Sequence, residues 1–145
     1  MNVLVAVDGS TEAERAARTA LALFGPDAHY LAISVSPSPM AYADPSIGFG
    51  GVYPYPMNQE PLIDEAEERA TEIVHESVES LGLSDAEEIA EVGDPAAAII
   101  AAADEHHADV IVVAASQKGW FSRLVTGSVS DALVHRAHVP VLVAR

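Results

Sequence analysis

The chain has 145 residues, half of them hydrophobic, with 22 acidic residues against 7 basic ones and a formal net charge of −15. That length makes a single domain over residues 1–145, able to bury roughly two-thirds of its chain surface, and that hydrophobicity argues against overall disorder. The charge repels phosphate backbones and excludes a direct nucleic-acid binder; the absence of cysteine excludes disulfides, Cys-ligated zinc, iron–sulfur clusters and a thiol nucleophile.

No apolar run reaches the roughly 18–20 residues of a membrane span. Met1 is followed almost at once by the apolar run Val3–Val7, with no charged n-region, h-region and cleavage site, so a cytoplasmic location is expected. Lys118 is the one lysine. An acidic, lysine-poor, alanine-rich surface suits a salt-rich cytoplasm, and a high-GC genome would produce the same bias.

Asn2–Val7 is short, β-branched and apolar on both faces, which predicts a central parallel strand. Asp8-Gly9-Ser10-Thr11 follows, where Ser10 or Thr11 can cap a helix and Thr11 with Glu14 fits a capping box. Ala13, Ala16, Ala17, Ala20, Leu21 and Phe24 predict a helix over Thr11–Phe24, ended by Gly25-Pro26-Asp27. Ala28–Val35 reads as the second strand. A loop over about 36–60 follows, rich in proline, glycine and tyrosine. Tyr42, Phe49, Tyr53 and Tyr55 suit a segment folded over a crevice or a partner subunit; the composition equally suits a surface insertion.

Pro61 sits well in the first turn of a helix that runs to Leu81, with Leu62, Ala66, Ala70, Ile73, Val74, Ser77 and Val78 on its inner face. Gly82 stops it. Glu87–Val92 alternates as an edge strand does. Asp94 as N-cap and Pro95 in the first turn open a helix to about His106, with Ala96, Ile99, Ile100 and Ala103 inward. Asp109–Ala114 is the fourth strand, Ser128–Ala137 the fourth helix and Pro140–Ala144 the last strand. Strands alternating with helices give an α/β fold, a parallel sheet with helices on both faces and right-handed crossovers. Between the fourth strand and fourth helix, a loop ends at Gly127-Ser128, where a helix N-terminus offers backbone N–H groups to an anion.

Four segments, VAVDGS, EVGDPAAAII, ADVIVVAAS and GSVSDALVHRAHVPVLVAR, taken in this order and spacing, resemble the universal stress protein family, of the adenine nucleotide α-hydrolase-like superfamily. The resemblance covers essentially the whole chain. It implies a Rossmann-like three-layer α/β/α domain with a five-stranded parallel sheet in the order 3-2-1-4-5. It also implies a cytoplasmic stress-response protein, homodimeric through antiparallel pairing of strand 140–144 with its two-fold mate. The apolar, terminal character of that strand points the same way.

Some members of the family bind ATP and carry G-x-x-G-x9-G-[ST] from the end of the fourth strand. Here the four positions are Ala114, Gln117, Gly127 and Ser128, so the helix end of the motif matches and the strand end departs from it. Glycines there let backbone approach ribose and phosphate with no Cβ between. Gly119 and Lys118 lie beside the altered positions; the latter supplies a cation near the phosphate path. By the same resemblance, Asp8 lies at the adenine or ribose end beside the backbone of Ala6 and Val7, and Ile33 lies against adenine. Gln117, Gly127, Ser128 and Val129 face the phosphates of ATP or another adenine nucleotide, with Mg²⁺. Local chemistry offers plainer roles too: an Asx-turn or cap for Asp8, and an N-cap for Ser128 with Asp131 three residues on.

His106, His107, His135 and His138 sit at helix ends that favour imidazolium, and nothing nominates a third ligand, so no metal site is expected. No G-x-S-x-G occurs and no catalytic group is assigned. An ATP-using hydrolase-type enzyme would carry an S-G-G-x-D-S-like loop where this chain has DGSTEAER. A receiver domain would need paired acids after the first strand, where Asp8 stands alone.

Overall fold

A computed structural model of the chain describes residues 1–38, 60–115 and 129–144. Five parallel strands form one sheet in the order β3-β2-β1-β4-β5, the predicted order. The strands are β1 (Asn2–Ala6), β2 (His29–Ser36), β3 (Glu87–Val92), β4 (Val110–Ala114) and β5 (Val141–Ala144). The helices are α1 (Thr11–Phe24), α2 (Glu60–Leu81), α3 (Pro95–Glu105) and α4 (Val129–Arg136).

The layering follows from the crossover rule. From β1 to β3 the chain steps outward in one direction, and from β3 through β4 to β5 it returns in the other, so right-handed crossovers put α1 and α2 on one face and α3 and α4 on the other. Period-2 alternation then divides each strand between two cores. Val3, Val5 and Val7 join Tyr30, Ala32, Val110 and Val112 beneath the small side chains Ala16, Ala17 and Ala20 of α1 and Val74 and Val78 of α2. Leu4 and Ala6 join Leu31, Ile33, Val35, Ile111 and Val113 beneath Ala96, Ile99, Ala103 and Leu133 of α3 and α4. Strands apolar on both faces are what a doubly covered parallel sheet requires.

Element ends depart from the sequence reading by a residue or so. β1 stops at Ala6 rather than Val7, although the Val7 N–H still donates to the Ile33 carbonyl at 2.9 Å. β2 runs one residue later than Ala28–Val35, β4 starts at Val110 rather than Asp109, and α3 ends at Glu105 with His106 as its C-cap. β5 starts at Val141 because Pro140 has no N–H; its carbonyl still accepts from Ile111 at 3.0 Å. α2 begins at Glu60, which leaves Pro61 in its first turn. The inner face predicted from Leu62 begins in fact at Ala70, and Leu62 and Ile63 are exposed. A helix of 22 residues is about 33 Å long, whereas the strands beneath it span about 20–26 Å, so its first turns overshoot the sheet. Most of the predicted 36–60 loop lies outside the described residues; Ser36 belongs to β2 and Glu60 to α2.

Candidate functional site

The strand order reverses between β1 and β4, and at such a switch point an open parallel sheet leaves a crevice beyond the carboxyl ends of its strands. Val5 pairs with Val112, so the same register carried on sets Val7 level with Ala114. Ala6 pairs with Ile33 on the other side. Ala6, Val7, Ile33, Ala114 and the first residue of α4, Val129, are thus gathered at or just below this end, all of them buried. Ile33 is 1% exposed and its carbonyl is taken by Val7, so its side chain is a core residue beneath the crevice.

Asp8 is the polar group the topology delivers here. Its carboxylate is buried, 8% exposed, at the end of the central strand. Oδ1 accepts from the Ser10 backbone N–H at 3.0 Å and from the Ser10 hydroxyl at 2.5 Å. Ser10 Oγ in turn accepts from the Ala13 N–H at 3.1 Å, which makes Ser10 the N-cap of α1. The capping box expected from Thr11 and Glu14 is therefore not the device used: Thr11 is already the first helical residue. Asp8 fixes the hydroxyl rotor of Ser10, and that selects the cap. The other carboxylate oxygen, Oδ2, takes no hydrogen bond among the described residues. Between the two, Gly9 has φ +75°, a left-handed conformation suited to glycine, with the Ile73 side chain 3.9 Å from where a Cβ would stand.

Both α1 and α4 start at this end, so two helix N-termini look toward the crevice. Glu12 and Glu14 occupy the first turn of α1 and Asp131 that of α4, which already offsets part of each dipole. Gln117, Lys118, Gly127 and Ser128, together with Gly119, lie outside the described residues. Among the described residues no group of three metal-ligating side chains gathers.

Sequence reasoning passed over Ser34. It is fully buried on β2, and its hydroxyl has no hydrogen-bond partner among the described residues. Alternation with Tyr30 and Ala32 places it on the α1–α2 side of the sheet. A serine inside the apolar run AISV was the available signal.

The universal stress protein family model matches residues 1–145. The chain belongs to that family. Solved universal stress proteins agree in fold. UspA from Lactobacillus plantarum is 25% identical, with a TM-score of 0.68 over 100% of this chain and 97% of that one. A universal stress protein in complex with cAMP is 24% identical, with a TM-score of 0.60 over 100% of this chain and 96% of that one. A universal stress protein family protein from Arabidopsis thaliana with AMP bound is 19% identical, with a TM-score of 0.55 over 99% and 90%. No curated protein matches the chain in sequence. The parallel sheet in the order 3-2-1-4-5 is the architecture that the resemblance implied, and in this universal stress protein no described helix is long and apolar enough to cross a membrane.

Proposed function

We propose that this universal stress protein is a cytoplasmic stress-response dimer that binds an adenine nucleotide, ATP with Mg²⁺, at the carboxyl ends of β1 and β4, and works by binding rather than by catalysis. The observation that carries this reading is Asp8. It is a carboxylate held at the switch point through one oxygen, with the other oxygen unbonded among the described residues. Such an oxygen is the acceptor that a ribose hydroxyl or an adenine amine needs. Relatives with cAMP and with AMP bound support the ligand class. Ala6, Val7 and the β2 backbone near Ile33 form the base side of the site. Ala114, Gln117, Lys118, Gly127, Ser128 and Val129 form the phosphate side. With Asp8 as the one acid assigned to the site, hydrolysis is slow or absent.

The test begins with denaturing the purified protein and identifying released nucleotide by mass spectrometry, followed by titration of the stripped protein with ATP and Mg²⁺. Asp8→Ala removes a hydrogen bond to a charged group and is expected to weaken binding by roughly tenfold or more. Ser128→Ala weakens it less than Gly127→Val, which adds a branched Cβ at the helix start. Unchanged affinity in all three variants overturns the placement.

Dimerisation is supported by β5, an apolar strand with one edge unpaired among the described residues. Light scattering at physiological salt is expected to give twice the monomer mass, and a clean monomer overturns it. One observation favours a second reading, a nucleotide-free stress protein acting through protein contacts. The Ala114 side chain is buried in the core with α1, where nucleotide-binding members have glycine. Absence of binding in the ATP titration decides for that reading.

A further inference from the structure

At the opposite end of the sheet the described residues form a groove of about 480 Å³, open to solvent along one side. Its walls are the segments 26–30, which leads into β2, and 81–86, which leads from α2 into β3. Leu21, Tyr30, Leu81 and Leu83 supply apolar surface. Tyr30 is buried and fixed, its hydroxyl donating to the Gly25 carbonyl at 2.8 Å. Asp27 and Asp85 stand exposed on the two banks.

Two helices end here. The Gly25 N–H closes α1 on the Leu21 carbonyl, and α2 closes with paired bonds from Gly82 to Glu79 and from Leu83 to Val78. The carboxyl end of a helix carries about half a negative charge and usually attracts a cation. Neither α1 nor α2 has a basic residue in its last turn. Arg18 reaches the Ser80 carbonyl at 3.4 Å, but its guanidinium is engaged by Glu14 at 2.7 Å and does not line the groove. His29 is the one basic-type side chain along it. The groove therefore joins apolar walls to two exposed carboxylates and to the carboxyl ends of two helices that have no basic residue in their last turns.

We propose that this groove docks an arginine- or lysine-bearing extended segment of a partner protein. An arginine or lysine side chain has the matching anatomy, an aliphatic stem for the leucine and tyrosine walls and a cationic head for the carboxylates and helix carbonyls. A bare metal ion would leave the apolar walls unused, and no set of three metal-ligating side chains is present among the described residues. A groove open along one side also suits a chain that continues beyond it rather than an enclosed small molecule.

The probe is a fluorescent ten-residue peptide alternating arginine and leucine, added to the full-length protein at physiological salt, with binding read by anisotropy. Amide shifts in a ¹⁵N-labelled sample are expected to concentrate in 26–30 and 81–86. Asp27→Asn with Asp85→Asn is expected to weaken binding about five- to tenfold, as two exposed charge contacts warrant. The control is Asp64→Asn with Glu68→Gln on the exposed side of α2, the same change in net charge, which is expected to leave affinity within about twofold. Ser84→Arg places a tethered cation on the rim and is expected to compete with the peptide. Equal weakening by the two double variants, or shifts centred on residues 6–8 and 114, overturns the proposal, since the peptide would then be reading net charge or the other end of the sheet.

Discussion

The two edges of the sheet are built in opposite ways. β3 presents Glu87, Glu88 and Glu91 along a strand of six residues, with Ile89 its one buried side chain. Glu87 and Glu88 point to opposite faces, and each is met by an imidazole from the helix layer there: His106 Nδ1 lies 3.1 Å from Glu87, and His75 Nδ1 lies 3.2 Å from Glu88. β5 has no charge in its four residues, and Val141, Leu142 and Val143 are only partly covered. An open edge offers unpaired backbone groups to any passing strand, and carboxylates on it repel another acidic chain. One edge is thus guarded and the other left able to pair. For the proposed dimer, this difference in edge chemistry leaves one surface for self-association rather than two.

The largest effect is expected from moving the guard onto β5. In a two-fold antiparallel pairing every new charge appears twice, so Val143→Glu brings like charges together and is expected to raise the dimer dissociation constant about 100-fold or more. Light scattering should show a monomer while circular dichroism keeps its helical signal. A dimer that survives the change is not assembled through β5. The converse experiment removes the guard from β3. Glu88→Val with Glu91→Val leaves an apolar edge on both sheet ends, and the expected result is association beyond the dimer, rising with concentration. Its expected size is smaller, since β3 remains flanked by Glu87 and by the acidic face of α2. A variant that stays dimeric shows that something other than charge protects that edge.

This contrast was legible in the sequence. EEIAEV alternates, and VLVA does not, so both edges could be read from period and charge. A parallel sheet with helices on both faces followed from the alternation of elements and the handedness rule, whereas the strand order was what the resemblance to the universal stress protein family implied. Failures were local. Ser10 and Thr11 are adjacent candidates for one cap, and the choice fell to Ser10 through its hydrogen bond to Asp8, a contact that residue preferences do not encode. The inner face of α2 was drawn too long because helical periodicity says nothing of where the sheet beneath it stops. At the candidate site, Asp8 was legible from its place after a central strand. Its Asx-type turn coexists with an oxygen that is unbonded among the described residues, since a carboxylate has two oxygens and the turn uses one. Ile33, which the resemblance placed against adenine, lies level with Ala6 at the end of β1 and three residues short of the end of β2, with its side chain buried and its carbonyl accepting from the Val7 N–H. Gln117, Lys118, Gly127 and Ser128 fall outside the described residues.

The smallest expected effect concerns the imidazole that holds Glu88. The pKa of His75 is raised above its ordinary value of 6.5, first by the hydrogen bond to Glu88, then by the charges of Glu88, Glu79 and Glu76, against an opposing effect of burial. Its folded-state value exceeds the unfolded one, so its contribution to stability is full below about pH 6.5 and is lost as pH rises through the raised value. The strap on the α2 side of β3 is therefore tightest in mild acid and slack in mild alkali. His75 is largely exposed, with 59% of its side chain accessible, so salt screens the pair and the effect on melting temperature stays small. Proton NMR of the His75 ring gives the direct readout. The titration midpoint is expected above 6.5 and is expected to fall in Glu88→Gln, whose side chain keeps its size but not its charge. A midpoint that ignores this change means that the acidic face of α2, through Glu79 and Glu76, sets the imidazole's charge, and that β3 is guarded by its own carboxylates alone.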